Sequence, residues 1–437
     1  MLASTSANTS LTGPQPHPTV AGTARDGSAN AYRRMIDCDA SPDPGLTLGI
    51  ATSQRDLEAC FALLHDAYVD SGFMKPHPSG LRVTPYHALP TTTTLCARLD
   101  GTVVGTLSII REGVFGFPLQ TAFNLAAVRA LPGRIAEISA LAIHPAHRTG
   151  KVLFPLLKFM YEYCIDYFDT RHLVIAVNPK HVGMYESLLL FRRLQEEPIE
   201  NYDFVDGAPA VGATLDLDRA PSIYRQVYGD LPPRRNLYDY FTRVKLPNIQ
   251  FPERRYHVTV DPVMSPSLLD HFFSRRTQVF LGLDARRRQL LRSVYPEASY
   301  AEVLPKPDDP AALSPVRRYR RYSLRCPGTL RVRSGPDDPT PTPLVVLDAS
   351  RHGFLARTGT QLSGPQVRGC VRLQLGFGSY ATEEVTLVRR FDHGGQPYAG
   401  FSISRPSQAW EEFISEIEAR DQGVAETSGR TTHCQPP

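Results

Sequence analysis

The sequence predicts an α/β domain of the α+β kind, with a mixed sheet and a helical extension, followed by a small all-β domain. Three observations carry that expectation. Between Ala136 and Leu189 the apolar pattern runs strand, helix, strand, helix, the order of a parallel βα unit. Val303 to Val316 contains Pro305, Pro307, Pro310 and Pro315 and reads as an extended linker. Beyond it, β-type runs alternate with Gly, Pro and Asp clusters over roughly 90 residues.

The elements follow in order. Residues 1–45 offer little apolar surface to offset their ordering entropy, which predicts a disordered leader. Ser53 with Asp56 marks a helix start, and Leu57, Cys60, Phe61, Leu64 and Tyr68 follow at helical spacing. The stretch TTTLCARLDGTVVGTLSII predicts a β-hairpin turning at Asp100-Gly101. Ala136–Ile143 (AEISALAI) reads as a strand, and Leu153, Leu156, Leu157, Met160, Tyr161, Cys164 and Phe168 mark the buried face of a helix. His172–Val177 is a short buried strand, and a helix through Met184, Leu188 and Leu189 follows it. From Ala220 to Tyr300 the pattern is mostly helical and extends the first domain. The expected units are therefore 46–302, a linker at 303–314, a β domain at 315–408, and a disordered tail at 420–437.

A length of 437 residues fits two or three folded units. With 48 basic against 44 acidic residues the charge is too balanced for wholesale nucleic-acid coating, so any basic function is local and no DNA or RNA partner is expected. Seven cysteines lie far apart without CxxC spacing, which argues for a reducing compartment rather than a disulfide framework. No apolar run approaches the ~20 residues needed to span a bilayer. The expected location is the cytoplasm.

Two junctions in the first domain carry chemistry. The turn HPAHRTGK leads from the strand Ala136–Ile143 into a helix, whose N-terminal amides and dipole favour an anion. Arg148, Gly150 and Lys151 suit that role by charge or by conformational freedom. The second junction, HLVIAVNPKHVGMYESLLLF, sets Asn178-Pro179-Lys180-His181 at a strand end and Tyr185 in the next helix. The strand–turn–helix resembles the acyltransferases of the GNAT type, in which this turn holds a donor phosphate. The acetyl-CoA pattern, a second Gly or Ala two residues on, is incomplete because Lys151 and Val152 follow Gly150. That argues against an acetyl-CoA N-acetyltransferase and favours the single phosphate of a phosphopantetheine arm.

Glu137, Ser139, Leu141, His144-Pro145, Arg148, Asn178, Pro179, His181, Tyr185, Glu186 and Phe191 stand in the order and spacing of the N-acyl amino acid synthases. These are relatives of the acyl-homoserine lactone synthases. The run YHVTVDPVMSPSLLDHFFSRRTQVF also resembles that family, so the likeness spans residues 50–300. The resemblance implies transfer of a long-chain fatty acyl group from acyl carrier protein to the α-amine of an amino acid, with no tightly bound cofactor. It implies Glu137 as base and Tyr185 as proton donor to the departing thiolate. Arg148, Gly150, Lys151, Asn178 and His181 would surround the phosphopantetheine donor, and strand N–H groups would polarise the carbonyl. Related synthases often carry Arg where Ala140 stands, which leaves Lys180, His181 and Arg148 open as holders of the substrate carboxylate. Taken singly, Glu137 reads as a surface residue and Tyr185 as core; in order and at family spacing they point to a site. His144 and His147 are close, but no carboxylate or cysteine completes a metal set, so no metal is expected.

The second domain opens with RRYRRYSLRCPGTLRVR, seven arginines and no acid between Arg317 and Arg333. Such a block marks an anion partner. The following LVVLDASRHGFLA contains Asp348-x-Ser350-x-x-Gly353. An R-x-x-x-R element, Arg317 and Arg321, followed by D-x-S-x-x-G on a β background resembles the PilZ domains, small β-barrels that bind cyclic di-GMP. The closing AGFSI resembles their final strand, so the likeness covers residues 315–405. A guanidinium fork matches phosphate oxygens or the guanine edge. Asp348 and Ser350 would serve the guanine as acceptor and donor, and Gly353 permits close approach or a positive φ. The expected protein is thus an acyltransferase carrying a nucleotide sensor. The alternative of a different class is a non-catalytic cyclic di-GMP adaptor with a degenerate acyltransferase-like domain.

Overall fold

The computed structural model describes residues 33, 36–148, 150–261, 264–306, 319–332, 341–362 and 367–421. Order begins before the start expected from the sequence. Ile36 and Cys38 are buried, and the Cys38 N–H donates to the Arg234 carbonyl, tying this segment to chain two hundred residues away. Strand β1 (Leu46–Ile50) follows at once, then helix α1 (Gln54–Asp70), whose N-cap Ser53 accepts from the Asp56 N–H. Leu57, Cys60, Phe61 and Leu64 form its buried face, as their spacing requires.

The hairpin is β2 (Thr92–Leu99) and β3 (Thr102–Arg111). Its turn residues Asp100 and Gly101 both take positive φ, 49° and 79°, matching the twist of a two-residue turn. Strand β4 (Arg134–Ile143) leads to helix α2 (Leu153–Asp166), then β5 (Thr170–Val177) and α3 (Pro179–Ser187). Three strands the periodicity did not announce complete the sheet: β6 (Arg192–Arg193), β7 (Ile199–Tyr202) and β8 (Ala208–Asp216). The order is β1-β2-β3-β4-β5-β8-β6, with β7 on β8, and only the β4–β5 pair is parallel. Helix α1 covers one face and α2 the other.

The helical extension packs on this sheet. Helices α4 (Ala220–Tyr228) and α5 (Leu237–Thr242) bury Tyr224, Tyr228, Leu237, Tyr240 and Phe241 beside α2. Lys158 of α2 is fully buried, with its Nζ bonded to Glu162 at 3.2 Å and to the Tyr240 carbonyl at 2.7 Å. A helical segment from Pro266 to Arg276 and α6 (Ala285–Val294) pack against the α1 side. The linker is partly structured at its start, since Leu304 is buried on that core. Residues 307–318, and Arg317 with them, lie outside the described residues.

Six antiparallel strands form the second unit: β9 (Tyr322–Val332), β10 (Thr342–Ser350), β11 (Gly353–Thr358), β12 (Arg368–Gly376), β13 (Ser379–His393) and β14 (Gln396–Ile403). Their pairing closes, β10-β11-β14-β13-β12-β9 and back to β10. The barrel does not end where the strands end. Helix α7 (Gln408–Asp421) buries Trp410, Phe413, Ile414 and Ile417 in the barrel core, and the Trp410 indole donates to the Arg351 carbonyl at 3.2 Å. Residues 409–419, left between domain and tail by the sequence, are thus part of the fold.

The units meet through an extended run. Tyr256 and Val258 form bridges to Gly376 and Leu324. Gly376 is required there, because a Cβ would fall 2.0 Å from the Arg255 carbonyl oxygen. Arg134 donates across the junction to Thr259 and Ser323 side chains and to the Leu324 and Leu347 carbonyls, at 3.0 to 3.2 Å. Among the described residues no helix is long and apolar enough to cross a membrane.

Candidate active site

The site begins with a break in β4. Opposite Thr106 and Ser108 of β3, β4 spends an extra residue between Ser139 and Ala142, and Ala140 there has φ 55°. Such a bulge bends the strand and raises its twist. The consequence is a splay: β4 and β5 pair only from Arg134–Glu137 to Thr170–Val174, while β5 continues to Val177 on β8. A cavity of about 500 Å³ opens between the separated ends. Its floor is the bulged strand from Ile138 to Ile143, and its walls come from the end of α1, the start of α3 and β8. This is the size and largely apolar character of a small-molecule site.

Tyr185 lines the cavity, with its ring edge-on to Phe191 at 5.9 Å. Burial holds its phenol well above the ordinary tyrosine range, so it keeps its proton at neutral pH. Arg148 lines the mouth, and its Nε donates to the Ile143 carbonyl at 3.1 Å. His181 also lines it, on the exposed first turn of α3. Asn178 contributes to the wall but caps α3, accepting from the Lys180 N–H and donating to the Pro209 carbonyl. Gly150 and Lys151 fall outside the lining, in the turn before α2. There Gly150 takes φ 86°, a conformation that only glycine adopts without strain, and helix α2 starts with no side-chain cap on its amides. The turn is therefore built as the sequence suggests, but with Arg148 as its cavity-facing cation.

Glu137 is placed differently from Tyr185. Its side chain is buried, its Oε2 accepts from the Leu119 N–H at 3.0 Å, and it does not line the cavity. It sits behind the wall, beside Tyr68 and Tyr202, both of which do line it. Burial raises both phenols, and the negative charge of Glu137 raises them further. Burial also pushes the Glu137 carboxyl itself up to about 8, against a smaller lowering by the Leu119 N–H. The base and the acid expected from the sequence are thus one layer apart.

The structure adds residues that no local pattern announced. Tyr202 lines the cavity, and its hydroxyl is buried with no hydrogen-bond partner among the described residues. Arg82 stacks on Tyr68 at 4.2 Å and on Phe204 at 5.3 Å and donates to the Phe204 carbonyl. These groups come from α1, an irregular segment and β7, so only the fold brings them together. Ala140 packs against Leu64 of α1. Of the open replacements, Arg148 and His181 reach the cavity and Lys180 does not.

In the barrel, Arg321 pairs with Asp348 at 2.8 Å. Ser350 Oγ donates to the Gly353 carbonyl at 3.2 Å, closing the β10–β11 turn. Gly353 serves close approach rather than positive φ, since a Cβ would lie 2.4 Å from the Phe401 carbonyl oxygen. Arg321, Asp348, Ser350 and Gly353 therefore share one end of the barrel.

Comparison with known proteins bears on the first unit. Residues 59–216 match the family model of the N-acyl amino acid synthase FeeM. That match places an acyltransferase-type domain in the N-terminal unit and covers less than half of the chain. Among solved structures, FeeM from uncultured soil microbes is 22% identical over 41% of this chain and 95% of that one, with a TM-score of 0.36. The CoA-dependent acyl-homoserine lactone synthase BjaI, with SAM and isopentyl-CoA, is 21% identical over 48% of this chain and 95% of that one, at 0.35. The acetyltransferase yncA of Salmonella typhimurium, with acetyl-CoA, is 18% identical over 40% and 95%, at 0.29. No curated protein matches.

Proposed function

We propose that the chain transfers a long-chain fatty acyl group from acyl carrier protein to the α-amine of an amino acid, and that its barrel is a cyclic di-GMP receptor of the PilZ kind. The observation that carries the enzymatic half is the apolar cavity at the β4–β5 splay, inside the stretch that matches an N-acyl amino acid synthase family.

The chemistry is attack of a neutral amine on a thioester: an N–C bond forms, the C–S bond breaks, and one proton moves from nitrogen to base. Glu137, with its carboxyl near 8, is a stronger base than an ordinary carboxylate and better matched to an ammonium proton. Its recess behind Tyr68 and Tyr202 calls for one relaying water. Tyr185, kept protonated by burial, gives its proton to the leaving thiolate and recovers one from solvent. Arg148 and the uncapped start of α2 receive the phosphate of the donor arm. His181 and Arg148, both in the cavity lining, are the cations for the carboxylate of the acceptor.

The receptor half is supported by the arginine-rich entrance to β9 and by the Asp348-x-Ser350-x-x-Gly353 turn that faces it. A non-catalytic receptor is the second reading, favoured by Ala140 and by the recess of Glu137. Expression in a bacterial host, with mass spectrometry of lipid extracts, tests the first against the second. A long-chain N-acyl amino acid is expected. Soluble protein without any such product, acyl carrier protein being present, would remove the enzymatic reading and leave the receptor.

A further inference from the structure

A second cavity, of about 640 Å³, lies between the two units. Its barrel side includes Arg320, Arg321 and Asp348, and its other side includes Arg111, Glu112 and Arg286 of the acyltransferase-type unit. Four guanidiniums thus line the cleft with two carboxylates, and both carboxylates are already engaged: Asp348 with Arg321, and Glu112 with Arg129 at 2.9 Å from its Nε, while Arg320 has Glu297 at 3.6 Å.

Arg111 is the telling residue. It ends β3, is 6% exposed, and stacks on Phe168 at 4.5 Å. Its Nη1 reaches Ser323 at 3.5 Å, yet its Nε and Nη2 have no partner among the described residues. Burial, followed by the charge of Arg134, pushes this guanidinium down to about 9. Asp261, the acid whose charge favours its cationic form, is committed to Arg254, Tyr163 and Thr93. A buried cation with unmet donors is costly unless an anion meets it.

We propose that the nucleotide site is composite: Arg111 and Arg286 complete, with Arg320 and Arg321, a cleft for the two phosphodiester charges of a cyclic dinucleotide. The inference rests on the receptor reading above and adds to it the half of the site supplied by the acyltransferase-type unit. Guanidinium forks match phosphodiester oxygens, and the exposed Arg286 offers a flat face on which a purine can stack, whereas Arg320 is already set against the Tyr295 and Tyr322 rings. A ligand held from both sides binds the docked arrangement more tightly than a separated one, and so shifts the chain toward it. The nucleotide would then report to the enzyme through domain docking.

The test is calorimetric titration of the full chain with cyclic di-GMP, comparing Arg111→Met, Arg286→Ala and Arg321→Ala. Arg286 is exposed on α6, so its variant keeps the fold; thermal melting checks Arg111→Met. Affinity is expected to fall by about tenfold or more for Arg111→Met and by roughly threefold to tenfold for Arg286→Ala, as for lost charge-assisted bonds. Binding that is abolished by Arg321→Ala but unchanged in both other variants would overturn the composite site and spare the receptor. Absence of binding to the wild-type chain would overturn both. If Arg111→Met does not fold, unchanged affinity in Arg286→Ala alone decides against the proposal.

Discussion

At Glu137 a single carboxyl links burial, stability and rate. Its carboxyl rests near 8 because the surroundings disfavour its charge, so at pH 7 most molecules carry it protonated. The proposed base is the ionised form, and turnover should rise with pH through about 8. Glu137→Gln should lower turnover by ~10²-fold to 10⁴-fold and flatten that rise, measured as product formed per minute across pH 6–9. The sign for stability is opposite. A carboxyl raised above its unfolded value contributes stability that is full below the ordinary carboxylate range and lost as pH climbs through about 8. Thermal melts should therefore fall with pH more steeply for wild type than for Glu137→Gln, whose amide oxygen still accepts from Leu119. Equal pH slopes in the two proteins would refute the buried, protonated carboxyl. The sequence pointed to Glu137 through family spacing, but the recess could not be read from it: strand alternation is reset by the bulge at Ala140, and burial depends on Leu119 and Tyr202 from other elements.

Elements reveal where local pattern suffices and where it does not. Helix α2 was legible because its apolar stripe is continuous, but nothing local to the helix marks Lys158 as buried. The fold buries it under α5, with Glu162 one turn on and the Tyr240 carbonyl as partners. Glu162 in turn holds Lys245 at 2.8 Å. Removing the lysine leaves the carboxylate and the carbonyl without their central donor. Lys158→Ala should cost about 3 kcal/mol, read from the urea midpoint of the chain. A change under about 0.5 kcal/mol would mean the ion pair is no better than a surface one. The turn at 144–151 and the hairpin at Asp100-Gly101 were equally legible, because glycine and polar residues mark positive φ. Strands β6, β7 and β8 were not, because their residues become strand-like only when a neighbour offers a ladder, β5 to β8 and β8 in turn to β6 and β7.

At the scale of the molecule the two units are joined by more than a linker. Arg134 is shared: it belongs to β4, the strand that floors the cavity, and its guanidinium bonds two barrel carbonyls and two hydroxyls. Arg134→Ala should loosen the junction, exposing the run from Arg254 to Asp261 to protease while leaving the barrel resistant. Mass mapping of limited digests reads this, and an unchanged cleavage pattern would show that the extended run alone holds the units.

By itself the sequence determined most element types of the first unit, the β character of the second, and two sets of residues expected to carry chemistry. These follow from periodicity, turn residues and motif spacing, all of which are local. Only the tertiary structure decided that Glu137 stands behind the cavity while Tyr185 lines it, that Tyr202 has an unmet hydroxyl there, and that Arg111 faces the barrel across a shared cleft. Those outcomes depend on which distant groups exclude water from each side chain, and burial is a property of the whole packing arrangement rather than of any stretch of chain.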